Sequence, residues 1–135
     1  MLLETRRFKS SIERLEKQLA GISLLSIVVP LCIVRGLDSF TAYLCFRFKP
    51  ELFLSYEINS LTVSAYYYGA WQSELMVWGL FFSLILVVVL LYHWIPKIFP
   101  TYSQMMKSFL KLFLLGFIFL YLGGVFANLC ALLFG

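Results

Sequence analysis

Long stretches without charge constrain this chain more than any other feature of its sequence. No Asp, Glu, Lys or Arg occurs from Leu75 to Ile95, and the segment from Phe109 to Phe134 carries no charge apart from Lys111 near its start. A helix rises about 1.5 Å per residue, so the uncharged run is about 31 Å long, which matches the roughly 30 Å hydrocarbon core of a bilayer. These stretches predict two membrane-spanning helices, over residues 71–95 and 109–134.

A first span precedes them, over residues 19–47. The uncharged part, Leu19–Val34, would cover only about 24 Å as a helix. Either the span ends near Arg35, or it continues to about Phe46 with Arg35 and Asp38 inside the membrane. We favour the longer span because the apolar residues that follow Asp38 require an apolar setting.

The composition excludes an ordinary soluble domain. Hydrophobic residues make up 61% of the 135 residues and charged residues 13%, against about 45–50% and about 25% in soluble domains. A chain of this size cannot bury so much apolar surface in water, because a small domain leaves a large share of its surface exposed. We therefore expect one domain of the all-α class: an integral membrane helical bundle with three transmembrane helices and an N-terminal amphipathic helix.

The amphipathic helix is predicted for residues 1–18. Phe8, Ile12, Leu15 and Leu19 recur on one face of a helix, and charged residues occupy the rest of the segment. This pattern is typical of a helix that lies at the lipid headgroups and leads into the first span. A helix that binds a partner protein is the alternative.

Residues 49–70 form an aromatic-rich connection between the first and second spans. A fourth span there would carry Glu57 and Asn59 into the membrane, and burying them is costly. With three spans, the N-terminal segment and the loop before the last span lie on one side and hold most of the Lys and Arg residues. The positive-inside rule then predicts a cytoplasmic N-terminus and an outside C-terminus, and we expect the plasma membrane of a prokaryote.

The net charge of +4 does not indicate nucleic acid as a partner. The charges lie at the ends of the apolar segments, where they suit lipid headgroups. The expected partners are the lipid bilayer and other membrane subunits or copies of the same chain.

Polar residues inside the first span are the first candidate site. Arg35, Asp38, Thr41 and Cys45 share one broad face of a helix, and Arg35 can pair with Asp38 across one turn. Ionisable residues at membrane depth usually pair or line a cavity. They indicate an ion or polar-ligand site or a contact with a partner helix; an ordinary interfacial pair is the alternative.

Glu57 and Asn59 extend this candidate site. Their side chains supply oxygen acceptors that could bind a cation or an ammonium group. The chain returns toward the first span here, so both residues could meet Asp38 and Thr41. A capping role in a loop is the alternative.

Small residues on the last span predict a helix-packing interface. Gly123, Ala127 and Ala131 repeat every four residues, with Gly116 one heptad earlier and Asn128 beside them. Such a face lets a second helix approach closely. Because three helices have few neighbours within one chain, we expect this face to pack on another subunit.

The sequence does not indicate an enzyme, a cofactor or a metal site. His93 is the only histidine, and Cys32, Cys45 and Cys130 form no C-x-x-C pair. A single histidine cannot build the usual multi-ligand zinc site. No phosphate-binding loop or nucleophile motif is present.

The stretch Asp38-x-x-Thr41 followed by Glu57-x-Asn59-x-Leu61 resembles a pattern in uncharacterised small three-span membrane families of prokaryotes. The resemblance covers residues 33–95. Those families carry Pro after the Asn, where this chain has Ser60. The resemblance implies a three-span protein and assigns no activity. The function we expect is a non-enzymatic membrane subunit, and the alternative is a small homo-oligomeric ion channel or transporter.

Overall fold

The structure, a computed structural model, describes residues 2–56 and 69–135. These two ranges contain five helices and no strand. In chain order the helices are α1 (Leu2–Gly21), α2 (Leu25–Phe48), α3 (Pro50–Tyr56), α4 (Ala70–Ile98) and α5 (Ser103–Phe134).

Three of these helices are long and apolar enough to cross a membrane. They are α2 with 24 residues, the part of α4 from Glu74 to Ile98 with 25 residues, and α5 with 32 residues. The prediction of an all-α chain with three helices of spanning length is confirmed. Their outer faces expose large apolar side chains, such as Phe119 at 74% and Phe126 at 71%. Lipid is the solvent that suits such a surface.

The ends of two helices are set by proline. Lys49 precedes Pro50 and Phe99 precedes Pro100, and both leave helical geometry with φ of −140° and −130°. The residue before a proline is disfavoured in the α region because the proline ring clashes with it. The two positions separate α2 from α3 and end α4.

Two predicted boundaries are corrected. The first span does not begin at residue 19, because α1 continues to Gly21 and α2 begins only at Leu25. Ser23 helps to restart the helix, since its Oγ accepts a hydrogen bond from the Ser26 backbone N–H at 3.2 Å. Helix α4 continues to Ile98, beyond residue 95 where the second span was predicted to end, and Pro96 lies in its last turn.

Contacts between side chains give the directions of the helices. Along α2, Ile27 and Leu31 pack in one cluster with Leu114 of α5, and Thr41 contacts Asn128 further along both helices. Thus α2 and α5 run parallel.

Helix α4 runs in the opposite direction. Its early residue Trp78 contacts Arg35, which lies deep in α2, whereas its late residue Tyr92 contacts Lys111, close to the start of α5. Phe81, Ile85 and Val88 of α4 complete the apolar cluster with α2 and α5. The three long helices therefore alternate in direction, as three consecutive crossings require.

Candidate polar seam and lateral cavity

An ion pair lies near the middle of α2. Arg35 Nη1 donates to Asp38 Oδ2 at 3.1 Å across one helical turn, so the predicted pairing is confirmed. Arg35 is about 15 Å along α2 from its start and Asp38 about 15 Å from its end. A helix that crosses a bilayer over this length carries both charges well inside it, as the longer-span interpretation expected.

Two aromatic rings lie against the guanidinium of Arg35. Its Cζ lies 5.5 Å from the ring centroid of Trp78 and 5.2 Å from that of Tyr121. Only 6% of the residue is exposed. A desolvated cation gains from ring faces at this distance, by about 2 kcal/mol. Trp78 on α4 and Tyr121 on α5 thus hold the central charge of α2.

Asp38 sets how closely α5 can approach α2. At Gly124 of α5, a Cβ atom would contact Asp38 Oδ1 and stand 3.2 Å from its Cγ. Only glycine leaves the space that the carboxylate occupies. The neighbouring Gly123 is open, because no atom of another element in the described ranges lies within 4 Å of its Cβ position.

A short chain of hydrogen bonds continues from Asp38 toward the end of α2. Thr41 Oγ1 donates to the Asp38 carbonyl at 3.1 Å and accepts from Asn128 Nδ2 at 3.2 Å. Cys45 Sγ donates to the Asn128 carbonyl at 3.1 Å. Polar side chains that bond across helices stabilise membrane bundles by about 0.6 to 2 kcal/mol each.

We call this set the polar seam. Its members are Arg35, Asp38, Thr41 and Cys45 on α2 with Tyr121, Gly124 and Asn128 on α5. The predicted face of four α2 residues points at α5, and the structure brings Arg35, Asp38, Thr41 and Cys45 together along it. Arg35, Asp38 and Asn128 bond inside the bundle through the atoms named above, whereas the buried Nε of Arg35 has no hydrogen-bond partner among the described residues.

Two lysines anchor helix ends beyond the polar seam. Lys49 Nζ donates to the Ala131 carbonyl at 3.2 Å, in the last turn of α5. Lys111 Nζ donates to the Leu19 carbonyl at 2.7 Å, in the last turn of α1, and Lys111 is only 2% exposed. Cations are favourable at helix C-termini, where unpaired carbonyls accumulate partial negative charge. Lys111 thus fastens the amphipathic helix to the bundle.

A lateral cavity lies between α2 and α4, with a volume of about 510 Å³. Ser39 and Glu74 bring polar atoms to it, and Trp78 connects it to the polar seam. Ser39 Oγ and Glu74 Oε2 are both buried and have no hydrogen-bond partner in the described part of the chain. Phe40, Tyr43 and Leu75 border it and are exposed on the outer surface of the helices.

Sequence reasoning did not single out the residues of the cavity. Glu74 lies just before the uncharged run of the second span, where an acidic residue is interpreted as one that faces the lipid headgroups. Ser39 lies one position after Asp38 and so faces away from α5. The detectable signal was Glu74 itself, as the last charge before a long apolar run.

Glu57 and Asn59 lie outside the described residues, so their convergence with Asp38 and Thr41 stays a prediction. Within residues 2–56 and 69–135, no three His, Cys, Asp or Glu side chains gather as metal ligands would.

The predicted small-residue face divides into two parts. Asn128 and Ala131 turn toward α2, where Asn128 bonds to Thr41 and the Ala131 carbonyl accepts from Lys49. The others, Gly116, Gly123 and Ala127, are exposed on the outside of α5. The contact within the chain uses Gly124, which the four-residue repeat did not identify.

Comparisons with protein-family models, with curated proteins and with solved structures found no match to this chain.

Proposed function

We propose that this chain is a non-enzymatic, multi-pass membrane subunit that packs against other transmembrane helices. The assembly is either a larger complex in which it is an accessory component or a homo-oligomer. The observation that carries the proposal is the outward face of α5. Gly116, Gly123 and Ala127 are exposed there, and among the described residues nothing lies within 4 Å of a Cβ position at either glycine.

This face combines small and large side chains in the way that helices packing in lipid do. Phe119 and Phe126 lie one turn before and after Gly123 and are 74% and 71% exposed, so large side chains flank a shallow site. Lipid tails are as apolar as leucine, and helices therefore associate through close van der Waals packing at small residues. The opposite face of α5 is already occupied by the polar seam.

The charges at the two ends of the bundle support one orientation. Helix α1 and Lys97, Lys107 and Lys111 lie at the end where α2 and α5 begin. Arg47 and Lys49 lie at the other end. Under the positive-inside rule, this asymmetry favours a cytoplasmic N-terminus and an outside C-terminus. The prokaryotic plasma membrane is proposed from the resemblance of residues 33–95 alone.

The test is purification from the native membrane in mild detergent, with the mass determined by light scattering and co-purifying proteins identified by mass spectrometry. We expect a stoichiometric partner or several copies of the chain. Gly123→Ile should disperse the assembly because the side chain fills the site between Phe119 and Phe126.

Gly79→Ile on α4 is the matched control. Gly79 is also exposed, and no described residue lies within 4 Å of its Cβ position, so the same side chain is added elsewhere on the bundle. Equal dispersal by both variants would remove the assignment to α5. A wild-type chain that runs as a lone monomer would contradict the proposal itself.

A small homo-oligomeric channel or transporter is the second candidate. It is motivated by two charges near the middle of a span, and Glu57 and Asn59 belong to its predicted site. The packing of Arg35 between Asp38, Trp78 and Tyr121 argues against an open passage at that point. In liposomes, Asp38→Asn or Glu57→Gln should abolish ion or substrate flux without dispersing the oligomer. Absence of flux in the wild type would remove this candidate.

A further inference from the structure

We propose that the lateral cavity between α2 and α4 binds the primary ammonium headgroup of a membrane lipid, as in phosphatidylethanolamine. The proposal requires that the chain lies in a membrane, and it is independent of the subunit role. It rests on the polar atoms that the cavity leaves without partners, on its charge and on the side of the bundle to which it opens.

Two oxygen atoms of the residues that line the cavity can accept a hydrogen bond and have no donor among the described residues. Glu74 Oε2 and Ser39 Oγ are buried and have no partner within the described ranges. A carboxylate only accepts hydrogen bonds, and a buried polar atom without a partner costs about 1–3 kcal/mol. A primary ammonium group carries three N–H donors, so it can donate to the carboxylate of Glu74, which lines the cavity.

The local charge favours a cation. Arg35 and Asp38 neutralise each other across one turn of α2. Glu74 forms no ion pair among the described side chains, and it is the one acidic residue among the described residues that line the cavity. A ligand with one positive charge balances its carboxylate.

Aromatic side chains reinforce this preference. Trp78, Tyr43 and Phe40 all line the cavity. Ring faces attract an ammonium group, most strongly when it has left water. The remainder of the lining is apolar and suits the hydrocarbon part of an amphiphile.

The position of the cavity selects a lipid as the source of the ammonium group. Phe40, Tyr43 and Leu75, which border it, are 59%, 46% and 71% exposed on helices that are long and apolar enough to cross a membrane, so in a bilayer these side chains would meet hydrocarbon. Glu74 is the first residue of the part of α4 that is long and apolar enough to cross a membrane, so it stands at the headgroup end of that part. A headgroup can therefore reach Glu74 while its acyl chains stay in the bilayer.

The test is native mass spectrometry of the full chain released from nanodiscs that contain equal amounts of phosphatidylethanolamine and phosphatidylcholine. Both headgroups carry a positive charge, but choline has no N–H donor. We expect the ethanolamine lipid to be retained at least tenfold more often per chain. Glu74→Gln should reduce this preference to less than threefold.

Glu51→Gln is the matched control, because Glu51 is an exposed acid on α3 outside the cavity. It should leave the preference unchanged. If Glu74→Gln does not fold, Ser39→Ala provides the same test with a smaller change and should lower the preference at least threefold.

Three results would overturn the proposal. They are equal retention of the two lipids by the wild type, an unchanged preference when the cavity is altered, and displacement of the ethanolamine lipid by an equimolar free amine such as dodecylamine. The last result would assign the cavity to a soluble amphiphilic amine. Because lipid retention is counted per chain, it is read separately from the oligomeric state.

Discussion

Substitution of Gly124 by alanine tests the central contact between α2 and α5. The new Cβ would contact Asp38 Oδ1 and stand 3.2 Å from Asp38 Cγ. The carboxylate cannot move freely, because its Oδ2 accepts from Arg35 at 3.1 Å. Either the helices separate or the ion pair is displaced.

The expected cost follows from these two routes. Overpacking a close contact costs about 1–3 kcal/mol, and loss of a hydrogen bond to a charged group costs about 1.5–3 kcal/mol. The route that costs less free energy sets the loss of stability. Alanine in place of glycine also stabilises a helix by about 1 kcal/mol. Gly123→Ala gains the same helix propensity, and its new methyl group meets no described residue within 4 Å. We therefore expect Gly124→Ala to be about 1–3 kcal/mol less stable than Gly123→Ala.

The assay is reversible unfolding in mixed micelles with increasing dodecyl sulfate, followed by circular dichroism and tryptophan fluorescence. Gly79→Ala is a second control, on α4 and away from the outward face of α5. In an Asp38→Ala background the obstructing atoms are gone, and Gly124→Ala should then behave like Gly123→Ala. A difference between the two glycine variants below about 0.5 kcal/mol in the wild-type background would refute the reasoning.

Three further predictions concern the polar contacts of the bundle. Arg35→Met should lower the free energy of unfolding by about 3–5 kcal/mol in the same assay, because it leaves the carboxylate of Asp38 inside the bundle without its cation. The double variant Arg35→Met/Asp38→Asn should recover most of that loss, and no recovery would contradict the reason. Asn128→Leu should cost about 1–2 kcal/mol through loss of the bond to Thr41, and a neutral result would mean that the seam contributes nothing there. Lys111→Met should release α1, seen as faster hydrogen exchange in that helix, whereas the control Lys107→Met should not.

Much of the helix layout follows from the sequence. The uncharged run from Leu75 and the apolar last segment must form helices in lipid, because an unpaired backbone group costs several kcal/mol there. The breaks at Lys49 and Phe99 follow from the prolines after them. The pair of Arg35 and Asp38 is a local consequence of helical spacing.

The start of α2 was less accessible to sequence reasoning. Leu19 and Leu25 are equally apolar, so hydrophobicity does not distinguish the end of the surface helix from the start of the span. The break at residues 22–24 is instead specified by Ser23, which bonds to the Ser26 backbone N–H, and by Lys111, which holds the last turn of α1. The second of these contacts comes from a helix far away in sequence.

The sequence by itself determined where the long helices lie and which α2 residues share a face, because both follow from bilayer thickness and from the period of one helix. Only the tertiary structure decided that Asp38 faces Gly124 and not Gly123, that Asn128 bonds inside the chain, and that Ser39 and Glu74 meet at a cavity. Those outcomes depend on the rotation and register of one helix against another. Helices that are apolar on nearly every face show little sequence periodicity from which rotation or register could be predicted. A few polar side chains and the absence of a side chain at Gly124 select the arrangement instead.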